Sequence, residues 1–426
     1  MTTATEISSL VRAPEVIGPA MILPGGPGRL VLSEAEVSSW GLAEEQAIGY
    51  FKHRGTDLIE ELQAAGLRGR GGAGFPAHIK WRGVASATGE KVVVANGHEG
   101  EPASVKDRWL LTRRPELVID GLLLAARSVG AARAIVYLSH PDSIAAVKQA
   151  IADVEAAGLV PDGVRLECFV TGRAYVAGEE SAVCRAINGG PALPTSKPPR
   201  PFESGVDGLP TLISNVETLA QAAWIALHGA EAFRAVGTAE SAGTALFTLG
   251  YPGVGTVVCE APLGTTVGDL FATMDLRPEQ FSGLLMGGWF GGVLQGELES
   301  LPCSYEAVAA RGSGLGAACL TGLAPDADVL AIAAELASWF QQESAGQCGV
   351  CINGTKAISH ALGKASLGTA EKADRDNLLR WGSTLSNRGA CAFINGSATL
   401  ARSVSVEIGK RAAAAPSKEK QHASEH

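Results

Sequence analysis

Residues 66–76 read Gly-Leu-Arg-Gly-Arg-Gly-Gly-Ala-Gly-Phe-Pro, and Ala77-His78-Ile79-Lys80-Trp81 follow at once. Five glycines in eleven residues free the backbone to take φ > 0 and to approach a bound group with no Cβ in the way. Successive bare N–H groups form an anion-binding nest, to which Arg68, Arg70 and Lys80 add positive charge. The whole chain is glycine-rich, 53 of 426 residues, so clustering alone says little. The interleaving of glycine with cations, closed by Phe75-Pro76, points to a phosphate or nucleotide cradle, with a structural tight turn as the alternative.

Working outward, a helix fits 56–65 and a β-branched run over 91–95 reads as a buried strand ending in a turn at Asn96-Gly97. Helical periodicity over 115–129 and 141–157 alternates with strands over 134–138 and 164–170, which predicts an α/β layer with a largely parallel sheet. The proline-rich stretch 187–214 is expected as a long ordered loop, and a helix over 215–232 follows. Short strands over 245–249, 255–259 and 284–287, with a helix over 267–274, suggest a small module of its own. Residues 327–410 turn helical and Ala-rich, with segments over 327–342, 355–362 and 370–386. The expected layout is a lead-in (1–50), a nucleotide-binding α/β domain (51–240), a small β domain (241–305), a helical domain (306–410) and a disordered tail (411–426).

A chain of 426 residues exceeds one hydrophobic core. With 46% hydrophobic and 19% charged residues it is globular, and a net charge of −9 argues against nucleic-acid binding. No apolar run approaches membrane-spanning length, and the N-terminus lacks the basic and apolar regions of a secretory signal, so a cytoplasmic location is expected. Of eight cysteines, Cys168, Cys184, Cys259, Cys303 and Cys319 sit singly and read as small buried hydrophobes.

Three clusters follow expected strands or open helices. Asn96-Gly-His98-Glu99-Gly-Glu101-Pro102 lies where open α/β sheets place ligands, though alone it could be a polar turn. Tyr175-Val-Ala-Gly178-Glu179-Glu180 would favour a helix dipole, and Ser214-Asn215-Val-Glu217-Thr218 fits a capping box. Cys348-Gly-Val-Cys351 with the distant Cys391 is a metal signal. Its readings are an iron–sulfur centre, zinc if His360 supplies a fourth ligand, or unliganded thiols.

Taken together, these segments resemble the NADH-binding flavoprotein subunit of respiratory complex I and the diaphorase subunits of soluble hydrogenases and formate dehydrogenases. The resemblance covers roughly residues 50–400. It rests on the glycine loop through Lys80-Trp81, on Asn96, Glu99, Glu101-Pro102, Lys106-Asp107-Arg108, Tyr175, Gly178-Glu179-Glu180, Lys197-Pro-Pro and Asn215-Val-Glu-Thr218. It implies a Rossmann-like FMN domain, a ubiquitin-like β-grasp module and a C-terminal helical bundle holding an iron–sulfur cluster. Hydride would pass from NADH to FMN, and single electrons through the cluster to a ferredoxin-like iron–sulfur partner in a soluble or membrane redox complex. By resemblance Gly69, Arg70, Gly71, Gly72 and Lys80 cradle FMN, and Asn96, Glu99, Tyr175, Gly178, Glu179, Ser214, Asn215 and Thr218 line the rest of its site. Phe75, Glu101, Glu180 and Lys197 would face NADH, and Cys348, Cys351 and Cys391 would hold the metal.

Departures from that pattern bear on both ends of the route. His98 stands where an acid is usual, and Gly83 and Arg200 stand where aromatics sandwich the adenine. Base stacking of that kind is worth about 1–3 kcal/mol. An FMN-binding relay with altered nicotinamide use, or a non-redox paralogue, are therefore the alternatives. Ala345 replaces the first cluster cysteine, leaving three thiols for a 4Fe–4S or 3Fe–4S centre.

Overall fold

The computed structural model describes residues 20–32, 40–52 and 57–414. Residues 1–19 and 33–39 of the expected lead-in, and the expected tail from 415 onward, lie outside them. A short strand, β1 (Ala20–Ile22), and two helices, α1 (Leu42–Ile48) and α2 (Leu58–Ala65), lead to the glycine loop. Asp57 caps α2 by accepting from the amides of Ile59 and Glu60, and Gly66 ends it at φ 68°. α3 (Ala77–Ala85) starts where the loop closes.

A parallel sheet comes next, in the order β4-β3-β2-β5. Its strands are β2 (Val92–Asn96), β3 (Arg133–Leu138), β4 (Arg165–Val170) and β5 (Thr211–Asn215). Val92 through Ala95 are all buried, as a strand covered on both faces requires. The intervening helices are α4 (Lys106–Arg113), α5 (Pro115–Val129), α6 (Pro141–Ala156) and α7 (Glu180–Ile187), and α8 (Val216–Arg234) runs on from β5. α5 and α8 approach so closely that a Cβ on Gly121 would lie 2.1 Å from the Leu219 carbonyl oxygen. The register sets Asn96 beside Asn215 at the carboxyl ends of β2 and β5. Open α/β sheets bind ligands at such ends.

β6 (Thr244–Tyr251) and β7 (Gly255–Pro262) form an antiparallel hairpin, followed by α9 (Val267–Ala272), β8 (Gly283–Met286), β9 (Val293–Leu294) and α10 (Tyr305–Ala310). β10 (Cys319–Leu323) then enters between β6 and β8, parallel to β6, and β1 pairs in parallel with β7. This mixed sheet therefore reaches past the boundary expected at 305 and draws a strand from the lead-in. The glycine run that precedes it hides β10 in the sequence, although all five of its residues are buried.

The remaining helices are α11 (Val329–Gln342), α12 (Gly349–Ser366), α13 (Lys372–Thr384), α14 (Phe393–Ser403) and α15 (Ser405–Ala414). The helix expected over 355–362 is longer at both ends, and α14 was not expected. Among the described residues no helix is long and apolar enough to cross a membrane.

Candidate functional site

A cavity of about 530 Å³ opens where the parallel sheet, the mixed sheet and the helical bundle meet. Gly71 and Gly72 form part of its wall. A Cβ on Gly71 would come within 3.0 Å of the Asn215 Cβ, and Gly72, at φ 139°, faces open space. The loop that carries them is fixed from behind. The Gly69 amide donates to the Phe75 carbonyl at 2.8 Å, and the Gly69 carbonyl accepts from the Tyr305 hydroxyl at 2.8 Å. The Arg68 guanidinium lies 4.1 Å above the Tyr305 ring. The Arg70 amide donates to Thr218 Oγ1 at 2.9 Å.

Arg70 corrects an expectation. Its guanidinium is buried and donates to the carbonyls of Thr244, Ala242 and Arg68, so it pins the loop to β6 instead of presenting charge to the cavity. The buried Glu217, 3.8 Å from Nε, balances its charge, and the carbonyls satisfy the donors of the fork. Thr218, whose hydroxyl accepts from Arg70, and the buried Ser214 likewise stand behind the wall, as does Gly69.

The floor is built from two asparagines and a buried ion network. Asn215 donates to Asp107 at 2.7 Å and accepts from the Glu217 amide at 3.0 Å. Asn96 donates to the Gly178 carbonyl at 2.8 Å and accepts from the His98 amide at 3.3 Å. Both amides are thereby oriented. Beneath them Lys106 is fully buried, 2.7 Å from Asp107 and 2.8 Å from Glu217. Burial opposes its charge, but Asp107, Glu217 and Glu99 outweigh that and hold it above the usual lysine value. Glu99 accepts from Ser104 Oγ and from the amides of Asp107 and Arg108. Burial, aided by Asp107, still pushes its carboxyl up. The sequence named Lys106 and Asp107 only as matches to a pattern; their burial beneath Asn215 needed the fold.

Tyr175 and Gly178 line the facing wall, and Tyr137 donates to the Ala177 carbonyl in the turn that carries them. Glu179 caps α7, accepting from the Ser181 and Ala182 amides, and also lines the cavity. Lys197 lies 2.5 Å from Glu179 and 2.8 Å from Glu180, and Lys80 lies 3.5 Å from Glu180. Lys80, Glu180 and Lys197 therefore form one ion-pair array outside the cavity lining, so Lys80 sits with the residues expected to face NADH and not in the cradle. Burial pushes Glu180 up, but the two lysines prevail and hold it below the usual carboxylate value. Phe75 is 45% exposed on the outer side of the loop. Glu101 is enclosed in the wall, accepting from the Trp289 amide at 3.1 Å, and burial pushes it up to about 8.

Cys391 and Phe393 form part of the same cavity wall. Tyr175 stacks on Phe290 at 4.6 Å and meets Phe393 at 5.5 Å. Cys348 is the N-cap residue of α12 and Cys351 lies in its first turn. Burial raises the Cys348 thiol, but hydrogen bonds from the backbone of Ala390, Cys351 and Val350 and from the Cys351 thiol leave it below its ordinary value. Burial and the neighbouring Cys348 push Cys351 up to about 12, and burial raises Cys391. His360 is exposed nine residues beyond Cys351, about 13 Å along the helix, and supplies no fourth ligand. Among the described residues no three His, Cys, Asp or Glu side chains surround a single ion. A single zinc ion would need its thiolates about 2.3 Å from one point, whereas a cluster spreads them over several irons. An all-thiolate donor set with backbone donors around one sulfur fits an iron–sulfur centre.

The model for the Nuo51 FMN-binding domain matches residues 62–224, and that for the NADH-ubiquinone oxidoreductase-F iron-sulfur binding region matches residues 331–407. The NADH-quinone oxidoreductase F 2 subunit of Rhizobium meliloti (strain 1021) is 31% identical over 386 residues, 87% of this chain and 91% of that protein. The chain belongs to the NADH-quinone oxidoreductase flavoprotein family. The NADP-reducing hydrogenase subunit HndC of Solidesulfovibrio fructosivorans is also 31% identical, over 79% of this chain and 71% of its own length. An NAD+-reducing NiFe hydrogenase in its H2-reduced state superposes with a TM-score of 0.78 at 30% identity. That match covers 90% of this chain and 66% of the hydrogenase chain, so this chain spans just under two thirds of it.

Proposed function

We propose that this chain is the FMN- and iron–sulfur-carrying subunit of a cytoplasmic NADH oxidoreductase, handing single electrons to a ferredoxin-like iron–sulfur partner within a larger redox complex. The observation that carries this reading is a shared wall: the cavity backed by Gly71, Gly72 and Asn215 is closed on another side by Cys391 and Phe393. The bare glycine edge and oriented asparagine amides suit the FMN phosphate and ribityl chain, and the Tyr175 face suits its ring. FMN, when bound, supplies the hydride acceptor, and the protein supplies orientation and electrostatics. Cys348, Cys351 and Cys391 would hold the cluster, its remaining iron closed by water, by Ser344 or by a partner's side chain. The hairpin, helix and parallel central strand of the mixed sheet are read as the β-grasp module, between an FMN domain ending near 240 and a helical domain starting near 329.

The Lys80–Glu180–Lys197 array favours NADH over NADPH. Its ionised Glu180 repels a 2′-phosphate, and both lysines that could attract one are already paired. Addition of NADH to the purified protein under anaerobic conditions is expected to bleach the flavin absorbance, with NADPH much slower. No bleaching with either nucleotide overturns the assignment.

A further inference from the structure

His98 is buried in the wall of the cavity. The imidazole is held from three sides. Nδ1 lies 2.9 Å from Ser139 Oγ, the ring meets Tyr137 edge-on at 6.4 Å, and a Cβ on Gly178 would fall 2.7 Å from its Cδ2. Nε2 is buried and makes no well-aligned hydrogen bond; among the described cavity-lining residues it is the one buried side-chain N or O atom in that state.

The other charged groups of the wall are already balanced or suppressed. Asp107 is neutralised by Lys106, and Glu179 by Lys197. Glu99 and Glu101 have their ionisation opposed by burial. Arg402, at the far rim, keeps its charge but is exposed, so solvent screens it, and it donates to the carbonyls of Gly312 and Gly382. Burial drives the His98 imidazolium pKa down to about 4, with the backbone of Ala174 and Tyr175 only partly offsetting it, so the ring is uncharged at neutral pH. The identity of residue 98 thus decides whether the buried part of this wall carries an uncompensated charge.

Resting on the flavin reading of this cavity, we propose that His98 sets the reduction potential of the bound flavin, an uncharged ring at this position making reduction easier than a carboxylate would. Hydride transfer adds one negative charge and two electrons to a group enclosed by protein, where a nearby fixed anion is poorly screened. No new step is required; the nicotinamide donor supplies both electrons. His98 acts on the equilibrium and takes no proton.

The test is a spectroelectrochemical titration of the flavin in the purified holoprotein, with flavin content measured first. At the wild-type midpoint, His98→Asp is expected to raise the ratio of oxidised to reduced flavin at least tenfold, a shift of about 30 mV to more negative potential for a two-electron couple. His98→Asn, also uncharged, is expected to stay within about threefold of wild type. Glu101→Gln, read at pH 9, removes a charge from the same wall, is expected to shift the potential the opposite way, and does not depend on the aspartate variant folding. An unchanged potential in His98→Asp or in Glu101→Gln overturns the proposal. So does an equal shift in His98→Asn and His98→Asp, because packing would then be the cause. Wild-type protein that binds no flavin overturns the functional reading instead.

Discussion

At the cavity floor, Lys106 lies buried between Asp107 and Glu217, and every carboxylate there has a cation or an amide donor of the chain itself. At and behind the far wall, Cys391 and Cys351 are held up toward their protonated forms, with Lys197 acting on Cys391 only against the opposing Glu179. The floor is electrically complete before anything binds. The thiol site is not: Cys351 and Cys391 as thiolates would need positive charge from outside, which iron would supply on the proposed reading. Preorganisation at the flavin end and dependence on metal at the cluster end should therefore separate in experiment.

The largest separation is expected from Cys351→Ser. Removing the most buried of the three thiols should drop iron per chain at least about tenfold, because metal binding supplies the energy that holds such a site. Flavin content should remain near one per chain. Iron and flavin analysis of the same sample checks this, and parallel loss of both would erase the distinction between the two regions.

Lys106→Met makes the opposite cut. It leaves Asp107 buried without its cation and Glu217 with only Arg70, 3.8 Å away, and breaking a buried pair from one side costs about 3–5 kcal/mol. Urea denaturation should show a loss of that size, and flavin retention should fall with it, since Asp107 orients Asn215.

Glu101→Gln probes how far the floor's completeness extends up the wall. The folded-state value of about 8 lies above the ~4.3 of an exposed glutamate, so the folded chain keeps a proton that the unfolded chain has lost. Stability from this group is full below pH ~4.3 and declines as pH rises to about 8. The glutamine variant lacks that decline. It should equal wild type near pH 4 and exceed it by up to a few kcal/mol by pH 8.5, as denaturant midpoints at the two pH values will show; a difference independent of pH would contradict the assignment.

The parallel sheet was legible because β2 is an unbroken β-branched run and α5 and α6 begin at prolines, signals that are local. The cysteine spacing was legible for the same reason. What escaped was set by tertiary approach. Arg70 reads as a phosphate ligand in a glycine loop, yet the carbonyls of Ala242 and of Thr244 at the start of β6 claim it, and those residues lie some 170 positions away. β10 contains a glycine and a cysteine and is a strand because β6 and β8 flank it. Tyr305 carries no motif at all.

Tyr305→Phe gives the smallest and most selective effect. The variant keeps the ring beneath Arg68 and loses only the hydroxyl that donates to the Gly69 carbonyl. A hydrogen bond of this type contributes about 1 kcal/mol net, and about 1.4 kcal/mol corresponds to tenfold in affinity. FMN binding should therefore weaken about fivefold, with thermal stability of the flavin-free protein little changed, because the floor network is untouched. Fluorescence titration of FMN into the apoprotein measures the affinity. An equal loss of stability in the flavin-free protein would mean that Tyr305 braces the domain contact as a whole. A selective loss would place the preorganisation of the glycine edge in a residue contributed by the mixed-sheet unit, so that the cradle is completed only where the two sheets meet.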